Sequence, residues 1–284
     1  MTAPVRRLPR LEPSERPDAA TPLRASARTA DIDARLTVFI NRRSYGAAQY
    51  HALRHLVEEG HRHGGLSVLA VTSPVTGEGK TTTAINLAGA LAQTSASQVL
   101  LVDADLRRPA IARRLALEPD HAGLVEAILD RNLSLAAVAE PYPGFNLAVV
   151  RAGRLAETTY EVLHSPRLGD LLQEARGQYE YVVVDTPPLL PIPDARVIGK
   201  WVDGFLLVVC AGRTLRKLVE ESLNLMSPEK MMGLVFNGDR RTPTRLDYYD
   251  YADGGAAGAT RPSTSTRVVA RLREILTGGA TPWR

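Results

Sequence analysis

Leu66–Gln93 reads LSVLAVTSPVTGEGKTTTAINLAGALAQ: an apolar run of strand length, a polar loop carrying Gly77 and Gly79, and an alanine-rich pattern with helical spacing. Strand, glycine loop and helix in that order form a phosphate cradle. The glycines let the backbone turn its N–H groups inward, and the helix that follows points its partial positive end at the same place. Gly77, Glu78, Gly79, Lys80, Thr81 and Thr82 are the expected nucleotide-binding residues. Lys80 supplies a compact, mobile charge for the β and γ phosphates, where a planar arginine fork fits poorly. The chain uses lysine only at Lys80, Lys200, Lys217 and Lys230, so a lysine kept in this loop is informative. The Thr81 hydroxyl is placed to ligate Mg²⁺ and that of Thr82 to bond the α phosphate. Pro74 stands where the usual G-x-x-x-x-G-K-[ST] pattern has its first glycine.

Outward from this loop, apolar runs alternate with helical patterns. SVLAVT precedes a helix over 81–93, and QVLLVDA a short helix around 109–116. NLAVVRAG is followed by a helix over 165–176, YVVVDT by GFLLVVCAG, then a helix over 214–226 and the run MGLVFNG. Continuous rather than alternating apolar strands are covered on both faces, which predicts an α/β fold with a doubly wound, mainly parallel sheet flanked by helices. Ligands bind such sheets beyond the carboxyl ends of the strands. Three aspartates stand there: Asp103 and Asp105 after VLLV, and Asp185 after YVVV. Thr81, Asp185 and one of the pair, taken as Asp103, suit a hard Mg²⁺ ion; the remaining carboxylate could accept a proton from an incoming hydroxyl. Asn237, after LVF, is placed for adenine, since an amide both donates and accepts. Arg107, Arg108 and Pro109 either close over the nucleotide or are simply solvated.

The chain's 284 residues allow one large α/β domain with tails. The excess of four positive charges is spread over scattered arginines, which predicts a solvated basic surface rather than a nucleic-acid site. One cysteine, Cys210, excludes a disulfide framework, and the reduced cytoplasm is the expected setting. No apolar run approaches the ~20 residues of a membrane span, and the charged amino terminus has no apolar stretch of a secretory signal. The six histidines show no metal-ligand spacing. The expected organisation is a disordered basic, proline-rich tail over 1–35, the catalytic domain over 36–240 with a lead-in helix ending at Gly64-Gly65, a flexible tyrosine-containing segment over 241–266, and a short amphipathic helix and tail over 267–284.

With SPVTGEGKT, LLVDADLRRP, VVVDTPP and the late cluster DYYDY in this order, the chain resembles the cytoplasmic kinase domain of bacterial tyrosine kinases (BY-kinases), the capsule and exopolysaccharide co-polymerase kinases. The resemblance covers about Ser44 to Tyr251. It implies a P-loop NTPase fold related to partitioning ATPases and ATP with Mg²⁺ as cofactors. It also implies autophosphorylation of Tyr248, Tyr249 and Tyr251, exchanged between copies in a homo-oligomer, with control by a membrane-anchored activator that recruits the chain to the inner membrane face. Lys80, Asp103, Asp105 and Asp185 are the catalytic residues on that model. The family's Glu-x-x-Arg-x-x-Arg assembly pattern is reduced here to Ala48, His51 and Arg54, and Thr76 replaces a common proline. A nucleotide switch or scaffold of weak catalytic power is the competing expectation. A partitioning ATPase is a third, against which Val75 stands in place of that group's signature lysine.

Overall fold

The computed structural model describes residues 31–94, 97–118, 121–154 and 159–239, and the backbone of 265–270. In chain order the elements are α1 (Thr37–Ile40), α2 (Tyr45–Gly64), β1 (Val68–Thr72), α3 (Lys80–Leu91), β2 (Val99–Asp103), α4 (Ile111–Arg114), α5 (Leu124–Leu129), α6 (Leu135–Val138), β3 (Glu140–Tyr142), β4 (Leu147–Val150), α7 (Thr159–His164), α8 (Pro166–Gln178), β5 (Tyr181–Asp185), α9 (Asp194–Ile198), β6 (Gly204–Cys210), α10 (Arg216–Asn224), a 3₁₀ turn (Pro228–Lys230), β7 (Met231–Asp239) and β8 (Ser265–Ala270). One sheet runs β3-β4-β2-β5-β1-β6-β7-β8. It is parallel from β4 to β7, and both edge strands are antiparallel.

Alternate residues of the central strands enter two separate cores. Val68, Ala70, Leu100, Val102, Val182 and Val184 pack on α5 to α9. Leu69, Val71, Leu101 and Val183 pack on the face covered by α2 and α3. Both faces are buried because the strand residues ahead of the terminal Thr72, Asp103 and Asp185 are apolar whichever way they point. α2 begins at Ser44, whose hydroxyl accepts from the Ala47 N–H, and ends at Gly65 in the left-handed region, as the glycine pair predicts. α3 is buried along its whole length. Its one interior amide, Asn86, is fully engaged: it accepts from Val38 N–H at 3.0 Å and donates to the carbonyls of Arg35 and Thr82 at 3.1 and 2.9 Å. This bond set docks α1 on α3.

The structure corrects two boundaries. Residues 31–35 belong to the domain: Asp33 N–H bonds the Arg114 carbonyl, and Arg35 is held by Asn86. The remainder of the amino-terminal tail lies outside the described residues. The helix expected from 267 is replaced in its first residues by strand β8, which pairs antiparallel with β7, Leu234 opposite Val269 and Asp239 opposite Ser265. RVVARL satisfies a helical period, but β7 would otherwise present an open row of backbone donors and acceptors, and a β-branched stretch fills that edge. Residues 240–264 and 271–284, including Tyr248, Tyr249 and Tyr251, lie outside the described residues.

Candidate active site

The carboxyl ends of β1, β2 and β5 converge on the amino end of α3. β2 and β5 are in register so that Asp103 sits directly opposite Asp185, and Thr72 ends β1 just before the glycine loop. Gly77 and Gly79 have φ of +87° and +98°, conformations that bulky residues avoid. A Cβ on Gly79 would lie 1.9 Å from the Asn237 amide nitrogen. Gly79 therefore meets two demands at once, left-handed backbone and a close neighbour. The helix starts at Lys80 with its first N–H groups facing the loop.

Lys80 Nζ donates to Asp105 Oδ2 at 2.6 Å and stands 3.6 Å from Asp185 Oδ1. Burial alone would lower its pKa, but the charges of Asp185, Asp105 and Asp103 outweigh this and hold it above the ordinary lysine value. Asp185 is fully buried, and neither of its oxygens has a hydrogen-bond partner among the described residues. Burial pushes its pKa up, against the pull of Lys80 and the nearby Thr81 hydroxyl. Asp103 accepts from the Ala110 and Ile111 N–H groups through Oδ2, both at 3.0 Å, while Oδ1 has no partner. Burial and the Asp185 charge push its pKa up to about 7 despite those two donors.

Three buried carboxylate oxygens on adjacent strand ends thus lack hydrogen-bond donors among the described residues, near the Thr81 hydroxyl. Burying such groups costs several kcal/mol unless a cation or proton completes them. The donor set is all oxygen and fits Mg²⁺. Among the described residues no three acidic, cysteine or histidine side chains form a metal cage of their own, so an ion here would need phosphate or water oxygens as well.

Several predicted residues have partners within the chain. The Glu78 carboxylate turns away from the cradle to accept from the Thr214 hydroxyl at 2.5 Å, and burial raises its pKa. Asn237 donates its amide to the Glu78 carbonyl at 2.8 Å, so this nitrogen braces the loop. The Thr82 hydroxyl accepts from the Arg114 guanidinium. Arg213, not foreseen, donates to the Gly77 carbonyl at 2.7 Å. Arg213 and Thr214 follow β6 at the same strand end that marked the aspartates, and that signal could have found them. Asp194, also missed, is buried and accepts from Arg107 Nε at 2.8 Å, tying the loop after β2 to the loop after β5. Of the assembly positions on α2, Arg54 is committed within the chain, to Glu58 at 2.6 Å and to the Ala90 carbonyl at 3.3 Å.

A family model described as an AAA domain matches residues 66–196, the span from β1 to α9 that holds this site. The tyrosine-protein kinase YwqD of Bacillus subtilis (strain 168) is 31% identical over 214 residues, 74% of this chain and 89% of that protein. The chain belongs to the bacterial tyrosine kinase family. Among solved structures, the kinase domain of the Escherichia coli tyrosine kinase ETK superposes on this BY-kinase chain with a TM-score of 0.66 at 29% identity, covering 72% of this chain and 79% of that one. The succinoglycan biosynthesis transport protein ExoP of Rhizobium meliloti (strain 1021) is 34% identical over 192 residues, 66% of this chain. The BY-kinase chain spans about a quarter, 24%, of ExoP. Among the described residues no helix is long and apolar enough to cross a membrane.

Proposed function

We propose that this chain is an ATP-dependent protein-tyrosine autokinase that controls capsule or exopolysaccharide polymerisation and export. The observation that carries this reading is Lys80 held between Asp105 and Asp185, with Asp103 opposite, at the mouth of a helix-terminated phosphate loop. Gly77 to Thr82 would hold the triphosphate of ATP, with Lys80 on its terminal phosphates. Thr81, Asp103 and Asp185 would hold Mg²⁺, which when bound neutralises phosphate charge. Lys80 exchanges its bond to Asp105 for one to the γ phosphate, which leaves the Asp105 carboxylate with an open oxygen. Asp105 then takes the proton of the tyrosine hydroxyl as the tyrosine oxygen bonds the γ phosphorus and the bond to the ADP oxygen breaks. Asp103, pinned to the start of α4, holds its loop still rather than acting as base. The acceptors are Tyr248, Tyr249 and Tyr251.

A membrane-anchored co-polymerase with a cytoplasmic segment is the partner that fits, bringing the chain to the membrane face. Phosphorylation between copies would need a contact other than the α2 pattern, because Arg54 is already bonded within its own chain. That observation also supports the second reading, a nucleotide-dependent switch on the same partner with little transfer chemistry. Incubation with Mg-ATP followed by mass spectrometry separates them. Phosphate on Tyr248, Tyr249 or Tyr251, absent in Lys80→Met, is the expected result; nucleotide binding with no modified tyrosine overturns the kinase reading.

A further inference from the structure

The two arginines after Asp105 have different fates. Arg107 is tied to buried Asp194. Arg108 donates its backbone N–H to Asp105 Oδ1 at 3.1 Å, while its side chain is exposed and no hydrogen bond or ion pair engages its guanidinium among the described residues. The turn fixes the backbone of Arg108 three residues beyond the carboxylate that holds Lys80 and leaves its guanidinium free to reach a ligand.

Charge at the mouth of the site opposes the acceptor. Asp103, Asp105 and Asp185 surround Lys80, with Arg107 and Arg114 acting on Asp105 and Asp185 from farther off, and a triphosphate adds further negative charge. The tyrosine segment Asp247–Asp253, DYYDYAD, is itself acidic, with Asp247, Asp250 and Asp253 and no basic residue. Such a segment is repelled unless a cation stands where it enters. Its sequence neighbours are also at the right edge: Asp239 and Ser265, which bracket residues 240–264, are paired at the ligand end of the sheet, two residues beyond Asn237 on the phosphate loop. Nine residues from Asp239 to Tyr248 span at most about 30 Å, ample for the distance across one sheet edge.

We propose that Arg108 is the specificity residue that recognises the acidic tyrosine segment, its planar fork pairing with an aspartate carboxylate beside the acceptor tyrosine. The proposal rests on the autokinase reading and names what that site selects. It predicts a preference for tyrosines flanked by acidic residues that depends on this one side chain, whereas attraction to the overall basic charge of the chain would largely survive its replacement.

The test uses the full chain with Asp247, Asp250 and Asp253 changed to asparagine, so that its own segment does not compete. A fluorescent peptide of residues 246–254 is titrated by anisotropy in the presence of Mg²⁺ and a non-hydrolysable ATP analogue. Arg108→Glu is expected to weaken peptide binding by about ten-fold or more. The weakening disappears for the peptide with all three aspartates made asparagine, and analogue affinity stays within about two-fold because the backbone bond to Asp105 is retained. Equal peptide affinity in both proteins, equal weakening for the neutral peptide, or a loss of analogue affinity matching the peptide loss each overturns the proposal; the last would make Arg108 a nucleotide ligand. Phosphate transfer is scored separately with ATP. A peptide that binds through Arg108 but is never phosphorylated refutes the autokinase reading and leaves the recognition intact.

Discussion

Asp185 and Asp203 lie at opposite ends of the same sheet and are treated in opposite ways. Asp203, just before β6, accepts from the Ser67 and Val68 N–H groups at 2.9 and 2.8 Å and from both terminal nitrogens of Arg176 at 2.7 and 2.8 Å. Burial would raise its pKa, yet the Arg176 bonds and the two backbone donors hold it below the ordinary carboxylate value. Asp185 is more deeply buried and has no such partner, and its pKa moves up. A carboxylate whose partners are all supplied by the fold stabilises the fold, and one left short of partners is shaped for a ligand. The contrast assigns structure to the amino end of the sheet and chemistry to the carboxyl end.

The strongest attempt to break this contrast is Asp185→Asn. Tyrosine phosphorylation should fall by about 10²–10³-fold, the size expected for losing a charge that organises the reacting phosphate. The apo protein should nevertheless melt a few degrees higher, about 2–5 °C, because a buried charge without hydrogen-bond donors is gone while Lys80 keeps its bond to Asp105. A lower melting temperature would make Asp185 a structural residue. Asp203→Asn is the reciprocal change: a stability loss of about 2 kcal/mol at pH 7 in denaturant titration, with turnover unaltered. Its pH dependence sharpens the point. A depressed folded-state pKa contributes stability that is present above the unfolded value near 3.8 and lost as the pH falls through the folded one, so the parent and Asp203→Asn should begin to converge in stability near the unfolded value and meet only below the folded one. Persistence of the full difference at acid pH would mean that packing, not charge, is responsible. The smallest effect belongs to Asn237→Ala, a group at the ligand end that is braced by the fold: nucleotide affinity measured by calorimetry should drop about five-fold, with adenine and guanine nucleotides affected alike. A loss confined to adenine would return Asn237 to base recognition.

What sequence reading captured and what it missed divide along the range of the interaction. The Leu66–Gln93 unit, the apolar strands and the three strand-end aspartates were legible because each depends on neighbours in the chain: the run before Asp103 or Asp185 dictates where the carboxylate emerges. The side-chain directions of Glu78, Thr82 and Asn237 were not, since each depends on a partner far along the chain: Glu78 on Thr214, Thr82 on Arg114, Asn237 on the Glu78 carbonyl. Asp194 escapes notice in the sequence because nothing local marks Arg107 as its partner. The β8 strand failed for a related reason. A helical period in RVVARL is a local property, and the open edge of β7 is not.

The bonds from Arg213, Thr214 and Asn237 to Gly77 and Glu78 have a consequence for binding thermodynamics. They grip the cradle by its Gly77 and Glu78 carbonyls and the Glu78 carboxylate, through residues that sit at the ends of β6 and β7. The glycines there have the widest freedom of any residue in an unfolded chain, and this freedom is lost when the sheet assembles, not when nucleotide arrives. A loop ordered in advance leaves association with little conformational entropy to lose. In this chain the flexible residues of the phosphate loop are therefore its preorganised ones.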